Sequence, residues 1–158
     1  MSARRATRSR AVTIRPAEAA DVEPLLAIEN AVFPTDRLDR RGFRHGIGSA
    51  TIDTLVATDG RAMLGYAMVH RRRNSDLGRL TSIAVADGAA GRGLGRQLLA
   101  AAEERAKERG CRRLRLEVRA DNRAAQRLYE QAGYARFETV RGYYEDGEAA
   151  YRYEKRLA

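Results

Sequence analysis

The chain has 158 residues, and 44% of them are hydrophobic, so it can form one domain with a single core and is not intrinsically disordered. No apolar run approaches the length that spans a bilayer, and the arginine-rich start lacks the apolar segment of a secretory signal. The single cysteine excludes an internal disulfide and indicates a reducing compartment. We therefore predict a cytoplasmic protein with a disordered basic tail over residues 1–10 and one domain over residues 11–158.

The net charge of +9 raises nucleic-acid binding as an alternative. The basic residues are spread over the tail, residues 71–73 and residues 105–119, and glutamates interrupt the last of these runs. The sequence has neither a paired Cys/His cluster for zinc nor an aromatic pattern for stacking on RNA. General surface basicity is the favoured interpretation, so no metal, no specific nucleic acid and no membrane partner is predicted.

The first half of the chain reads as a strand, two helices and a series of strands. Pro16 ends the first strand and Pro34 ends the first helix, while Asp59-Gly60 is typical of a tight hairpin turn. The predicted helices cover residues 21–33 and 39–46. The predicted strands cover residues 11–15, 51–57, 63–71 and 80–85, with a loop over 74–78 before the last of them.

The second half alternates helix and strand and ends in a hairpin. The first helix of this half runs to Arg109, and Gly110 ends it. The second helix starts after the capping residues Asp121 and Asn122 and ends at Gly133. The predicted strands cover residues 113–119, 134–144 and 149–157. A strand, a helix and a further strand in succession predict a right-handed parallel unit, so the fold class is α/β in one domain.

Three glycines alternate where the strand over residues 80–85 gives way to a helix, at positions 91, 93 and 95. Glycine allows positive φ and close approach of the backbone, and the first amides of a helix attract anions. A dinucleotide fingerprint would need glycine at position 96 or 98, and a P-loop would need Gly-Lys-Ser/Thr, so neither motif is present. The remaining interpretations are a pyrophosphate cradle, which we favour, and a packing turn without a ligand.

The motifs around this turn resemble the acetyl-CoA-binding core of the GNAT superfamily of N-acetyltransferases. They are SIAV at 82–85, GRGLGR at 91–96, LEVRADN at 116–122, LYE at 128–130 and DGEAA at 146–150. Their order is similar to that of the RimI-type ribosomal-protein alanine N-acetyltransferases and their N-terminal-acetylating relatives. The resemblance implies a single-domain fold with a mixed, mostly antiparallel sheet, in which a central pair of parallel strands splays apart at the acetyl-CoA site. Ala90 departs from the Gln or Arg usual in the family, which is expected to weaken pyrophosphate binding without abolishing it.

The resemblance also implies roles for individual residues. Glu117 would be the general base for the acceptor ammonium, and Tyr129 the general acid that protonates the departing CoA thiolate. The Asn122 side chain would bond to the pantetheine or the acetyl end. The backbone of Ile83, Ala84 and Val85 would pair with the pantetheine arm like an added strand, and an amide N–H there would polarise the thioester carbonyl. The pyrophosphate would be held by Gly91, Arg92, Gly93, Leu94, Gly95 and Arg96.

Spacing alone gives these residues plainer roles. Glu117 shares a strand face with Arg113 and Arg115, which favours ion pairs; Tyr129 lies on an apolar stripe, and Asn122 suits a helix cap. Residues 143–144, both tyrosine, either line the acceptor groove or pack the hairpin.

The predicted function is acetyl transfer from acetyl-CoA to a protein amine, foremost an N-terminal α-amine and including that of a ribosomal protein, by direct attack in a ternary complex. The alternatives are acetylation of a small-molecule amine or amino acid, and a catalytically inactive RNA- or ribosome-binding module. Either a monomer or a homodimer is compatible with the sequence.

Overall fold

The protein is described by a computed structural model over residues 11–157, so the predicted basic tail lies outside the described residues. Seven strands form one sheet in the order β1-β2-β3-β4-β5-β7-β6, and within it only β4 and β5 run parallel. The strands are β1 (Thr13–Pro16), β2 (Ile52–Thr58), β3 (Met63–Arg71), β4 (Leu77–Val85), β5 (Arg113–Arg119), β6 (Ala135–Val140) and β7 (Ala150–Arg156). The helices are α1 (Val22–Val32), α2 (Arg40–Gly48), α3 (Leu94–Glu108) and α4 (Arg123–Gln131), with short 3-10 turns at Ala19–Asp21 and Asp87–Ala89.

Helix α3 covers one side of the sheet through an apolar stripe at helical spacing. Leu94, Leu98 and Ala102 lie on this stripe and are at most 1% exposed. They belong to the same buried cluster as Leu114 and Leu116 of β5. Each fully buried leucine stabilises the fold by about 1.5–3 kcal/mol, so this stripe fixes α3, and the glycine turn before it, against the sheet.

Helices α1 and α2 cover the other side of the sheet over one half only. Leu25 and Phe43 are fully buried there against Tyr66 and Met68 of β3. The contacts of α1 and α2 are with β2, β3 and β4. On β5, buried leucines and valine alternate with half-buried charged residues, so the charged face of this strand lies on the side away from α3.

The predicted mixed sheet with a splayed parallel pair is confirmed. Pairing of β4 with β5 covers only Leu77 to Leu80 of β4, and beyond that point the two strands separate. The same pairing explains why β4 begins at Leu77, within a segment predicted to be a loop. The strand predicted over residues 134–144 ends at Val140, because Gly142 takes a φ of +64° and the chain turns away from the sheet.

Candidate active site

A cavity of about 300 Å³ opens where β4 and β5 separate. The three predicted β4 residues, Ile83, Ala84 and Val85, line it, and so do Glu117 of β5 and Tyr129 of α4. The separation of the two strands therefore brings together residues that the sequence places far apart.

One edge of β4 faces this cavity without a partner strand. Residues 83–85 pair with β3 on their other edge, where Val85 lies opposite Gly65 and Ala84 opposite Tyr66. The register shifts at Thr81, which forms a bulge between residues paired with Met68 and Val69. Extended backbone with an unpaired edge offers N–H and C=O groups to an extended ligand, as the edge of a sheet does.

The glycine turn lines a second cavity, of about 350 Å³, that shares Val85, Gly95 and Leu128 with the first. Gly91 and Gly93 have φ values of +82° and +74°, and nothing lies within 4 Å of a Cβ added to either. Backbone conformation, and not crowding, therefore requires glycine at both positions. The first amides of α3 have no acceptor inside the helix, so the turn presents N–H donors and the positive end of the helix dipole to the groove.

The two arginines of the turn differ in their contacts. Arg96 donates from Nη2 to Oε1 of Gln131 at 2.8 Å, which ties the start of α3 to the end of α4. Arg92 is exposed beside the turn. Ala90 is exposed too, and its short side chain supplies no donor beyond the backbone. The anion-binding capacity of this turn therefore lies mainly in its backbone amides.

Glu117 is surrounded by hydrogen-bond donors, and its side chain is only 8% exposed. Oε1 accepts from Arg79 of β4 and from the Tyr143 hydroxyl at 3.3 Å, and Oε2 accepts from Nε of Arg152 at 3.3 Å. Arg152 lies directly opposite Glu117 in the sheet, so register creates this pair. Both carboxylate oxygens of Glu117, the predicted base, thus accept hydrogen bonds from other side chains of the fold.

The arginines expected to pair with Glu117 on local spacing take a different partner. Arg115 donates to Glu154 at 2.8 Å, and Arg113 donates to the same carboxylate at 3.3 Å. Glu154 lies opposite Arg115 on β7. The expectation of an ion-paired Glu117 is correct, but the partners predicted for it are wrong, because neighbouring strands supply closer arginines than its own strand does.

Tyr129 lies on the buried side of α4 and is 5% exposed. Its ring packs edge-on against Tyr134, with centroids 5.8 Å apart. Burial raises the pKa of Tyr129 well above the usual value, and the neighbouring Tyr144 adds to the rise. No hydrogen bond reaches its hydroxyl from the part of the chain that the structure describes. The hydroxyl is therefore a protonated donor at the cavity wall with no competing partner in the fold.

Asn122 caps α4, as the plainer interpretation predicted: its Oδ1 accepts the amide of Ala125 at 3.1 Å. The side chain also lines the cavity. Because the cap uses only the carbonyl oxygen, the amide nitrogen retains its donors for a ligand.

A buried polar chain at the cavity wall was not predicted from the sequence. Glu29 is 2% exposed, and its Oε1 accepts from the Tyr66 hydroxyl at 2.5 Å while its Oε2 accepts from the amide of Leu38 at 2.8 Å. The Tyr66 hydroxyl is also 2.5 Å from Oγ of Ser82. Burial, with the adjacent carboxylate, raises the pKa of Tyr66. The one sequence signal was a carboxylate on the buried stripe of α1, seven residues after Val22.

Two loops meet over the outer side of the cavity. The loop after α1 contributes Phe33, Pro34 and Asp36 to the wall, and the loop between β6 and β7 contributes Tyr144. The amide of Glu145 donates to the Asp36 carboxylate at 3.3 Å, which joins the loops. Burial raises the pKa of Tyr144 to about 12. Tyr144 lines the cavity and also packs edge-on against Tyr143, with centroids 4.9 Å apart. The role of the pair in an acceptor groove stays a prediction.

Arg119, the last residue of β5, holds the second of these loops in place. Its Nη2 donates to Asp146 at 2.6 Å, and its Nε donates to Asp121 at 3.1 Å. Its guanidinium also lies over the ring of Tyr144, 4.9 Å from the centroid. The hydrogen bonds to Asp146 and Asp121 raise the pKa of Arg119. Its planar guanidinium therefore holds together the end of β5 and the loop between β6 and β7.

Within residues 11–157, no group of three or more His, Cys, Asp or Glu side chains is placed to hold a metal ion. No helix in the same range is long and apolar enough to cross a membrane.

Comparison with known proteins gives matches over most of the chain. N-alpha-acetyltransferase 30 of Schizosaccharomyces pombe is 31% identical over 104 residues, 63% of this chain and 69% of that protein. Mycothiol acetyltransferase of Rhodococcus jostii is 33% identical over 88 residues, 53% of this chain and 29% of that protein. The crystal structure of the ribosomal-protein-S18-alanine N-acetyltransferase from Escherichia coli is 29% identical with a TM-score of 0.82, covering 94% of this chain and 95% of that one.

The ribosomal-protein-alanine N-acetyltransferase from Brucella melitensis is 28% identical with a TM-score of 0.80, covering 92% of this chain and 99% of that one. The profile of the acetyltransferase (GNAT) family matches residues 22–134, which include the glycine turn, Glu117 and Tyr129. The chain therefore belongs to the acetyltransferase (GNAT) family and is an acetyl-CoA-dependent N-acetyltransferase.

Proposed function

We propose that this enzyme acetylates the α-amine at the N-terminus of a polypeptide, as the ribosomal-protein-alanine enzymes among its structural neighbours do. The observation that carries the proposal is the contact between Asp36 and Glu145 over the cavity. A lysine in mid-chain needs room for the polypeptide to leave the site in two directions, whereas a chain end needs only one. A mouth bridged by two loops suits the chain end.

Acetyl-CoA supplies an acetyl group activated as a thioester, and the groove fits it. The unpaired edge of residues 83–85 would pair with the extended pantetheine arm, and an amide there would polarise the thioester carbonyl. Gly91, Gly93 and the first amides of α3 would hold the pyrophosphate, with Arg92 adding positive charge. The free amide group of Asn122 would donate to pantetheine.

We assign the two proton transfers to Glu117 and Tyr129. Glu117 would take the ammonium proton directly or through water, and its contacts with Tyr143 and Arg152, both 3.3 Å, are the ones that an incoming donor would replace. Tyr129 would donate its hydroxyl proton to the departing sulfur. Direct attack is proposed because the chain's one cysteine, Cys111, is buried and lies outside the cavity wall.

A panel of acceptors incubated with acetyl-CoA tests this function. We expect mass spectrometry to place the acetyl group on the N-terminus of peptides with a free α-amine. Peptides with a blocked N-terminus and an internal lysine serve as controls and should not react. Acetylation confined to small amines or amino acids would reject the proposal.

The second candidate is acetylation of a small-molecule amine, favoured by the similarity to mycothiol acetyltransferase over 88 residues. The same panel separates the two substrate classes. The inactive RNA- or ribosome-binding alternative is not retained, because the chain belongs to the acetyltransferase (GNAT) family. Acetyl-CoA should accordingly raise the melting temperature, as a ligand bound by the native state does. We place the enzyme in the cytoplasm, on the likeness to a bacterial enzyme that modifies a ribosomal protein.

A further inference from the structure

We propose that one face of β4, β5, β6 and β7 beside the cavity, together with the loop after β6, binds the acceptor polypeptide beyond its first residues, as an extended segment carrying acidic side chains. This inference rests on the proposed N-terminal acetylation. The surface, here named the arginine face, consists of Arg79, Arg115, Phe137, Tyr143 and Arg152.

The sheet register brings the charged members of the arginine face side by side. Arg115 lies next to Arg79 across the parallel pair of strands, and Arg152 lies opposite Glu117 on β7. Arg152 also donates to Glu138 of β6 at 2.7 Å. The side chains of Arg79, Arg115 and Arg152 are 45%, 27% and 26% exposed on this side of the sheet.

The aromatic members of the face are the two large hydrophobic side chains that stay exposed in the described part of the chain. Phe137 is 47% exposed and Tyr143 is 45% exposed. The Phe137 ring lies 4.9 Å from the guanidinium of Arg115 and 5.2 Å from that of Arg152. Exposed aromatic rings beside arginines are the composition enriched at the centres of protein interfaces.

The unused hydrogen-bonding capacity of the face consists of donors. A guanidinium carries five N–H groups. Arg115 donates to Glu154 through Nε, and Arg152 donates through Nε and Nη1. The terminal nitrogens of Arg115 and Nη2 of Arg152 make no hydrogen bond to another residue within 11–157. The neighbouring carboxylates, Glu117, Glu138 and Glu154, already accept from these arginines. A partner must therefore bring acceptors: backbone carbonyls and acidic side chains.

The arginine face is continuous with the catalytic end of the cavity. Tyr143 and Arg152 both contact Glu117, so a polypeptide whose amine lies at Glu117 leaves the cavity directly onto them. From β5 across β7 to β6 is two strand spacings, or about 10 Å, and an extended chain covers about 3.4 Å per residue. The acceptor residues that reach Phe137 are therefore roughly the fourth to sixth.

The test compares peptides that differ only beyond the third residue. A tripeptide is compared with two decapeptides that share its sequence and carry glutamate or lysine at positions four to six. We expect the glutamate decapeptide to have a KM about tenfold below that of the tripeptide, the size of effect that a truncated interface anchor produces. The lysine decapeptide should lose this advantage, and added salt should reduce it.

Variants assign the effect to the surface. Phe137→Ala and Arg115→Gln should each raise KM for the glutamate decapeptide and leave the kinetics of the tripeptide within about twofold, which also shows that the variant is folded. Arg61→Gln, in the exposed turn between β2 and β3, is the matched control and should leave both unchanged.

Equal KM values for tripeptide and decapeptides, or a lysine decapeptide that binds as well as the glutamate one, would overturn the inference. A sedimentation change in Phe137→Ala would overturn it as well, because it would assign the face to a second copy of the chain. Acetylation of peptides without any length dependence rejects only the arginine face. If no peptide is acetylated, the proposed function on which this inference rests is rejected.

Discussion

Replacing Tyr129 with phenylalanine separates its chemical role from its packing role. The hydroxyl makes no hydrogen bond to residues 11–157, so removing it leaves no buried group without a partner, and the ring keeps its contact with Tyr134 at 5.8 Å. We expect the free energy of unfolding to change by less than about 1 kcal/mol. A general acid contributes roughly 10²–10⁴-fold, so kcat should fall about a hundredfold or more. The dissociation constant of acetyl-CoA should stay within about twofold.

The assay is steady-state acetylation of a peptide together with calorimetric titration of acetyl-CoA. Tyr134→Phe is the control, because its hydroxyl donates to Glu103 of α3 at 2.8 Å and neither residue lines the cavity. That variant should lose about 0.5–1.5 kcal/mol of stability and keep its turnover. Since burial raises the pKa of Tyr129, its proton stays in place as the pH increases, and wild-type kcat should show no alkaline loss up to about pH 10. Equal losses of kcat and acetyl-CoA affinity in Tyr129→Phe would show that the residue is structural.

Three further substitutions test the rest of the site. Gly93→Ala forces a side chain into a φ of +74°, so it should lower the free energy of unfolding by about 1–2 kcal/mol and weaken acetyl-CoA binding. Gly88→Ala, where an added Cβ meets open space, is the control and should leave acetyl-CoA affinity unchanged in a titration. Equal affinities in the two variants would contradict the proposed role of the turn. Tyr66→Phe leaves Oε1 of buried Glu29 without its donor and should cost about 1–3 kcal/mol in urea unfolding, an expectation that unchanged stability would contradict. Glu117→Gln should lower kcat about a hundredfold while acetyl-CoA still binds, and full activity in that variant would assign the base elsewhere.

Local patterns predicted the elements of this fold because most of them are encoded locally. The apolar stripe of α3, the capping residue Asn122 and the turn at Asp59-Gly60 each act within a few residues. The backbone of the glycine turn was predictable for the same reason, since glycines at 91 and 93 set its conformation before any tertiary contact forms. The end of β6 was missed because two strand-forming tyrosines, residues 143–144, follow Val140 closely in sequence while Gly142 turns the chain.

Side-chain partners were not predictable where register decides them. Glu117 reaches Arg79 and Arg152, which lie 38 and 35 residues away, and Glu29 reaches Tyr66 across 37 residues. A shift of one residue in strand register would turn the side chains on the strands to the other face of the sheet. Sequence spacing gave only the arginines on Glu117's own strand, so it identified the ion-pairing character of the site and misassigned its members.

The ionisation of the acceptor bears on which amine the enzyme uses. Attack on the thioester needs a neutral amine, so an amine that is already partly neutral needs less proton removal by the proposed base than one that is fully protonated. An α-amine, with a pKa near about 7.7–8.0, is neutral in roughly a tenth of molecules at pH 7, and a lysine near about 10.4 in fewer than about one in a thousand. The ionisation of the α-amine and the bridged mouth of the cavity thus favour the same proposed acceptor, the end of a polypeptide chain.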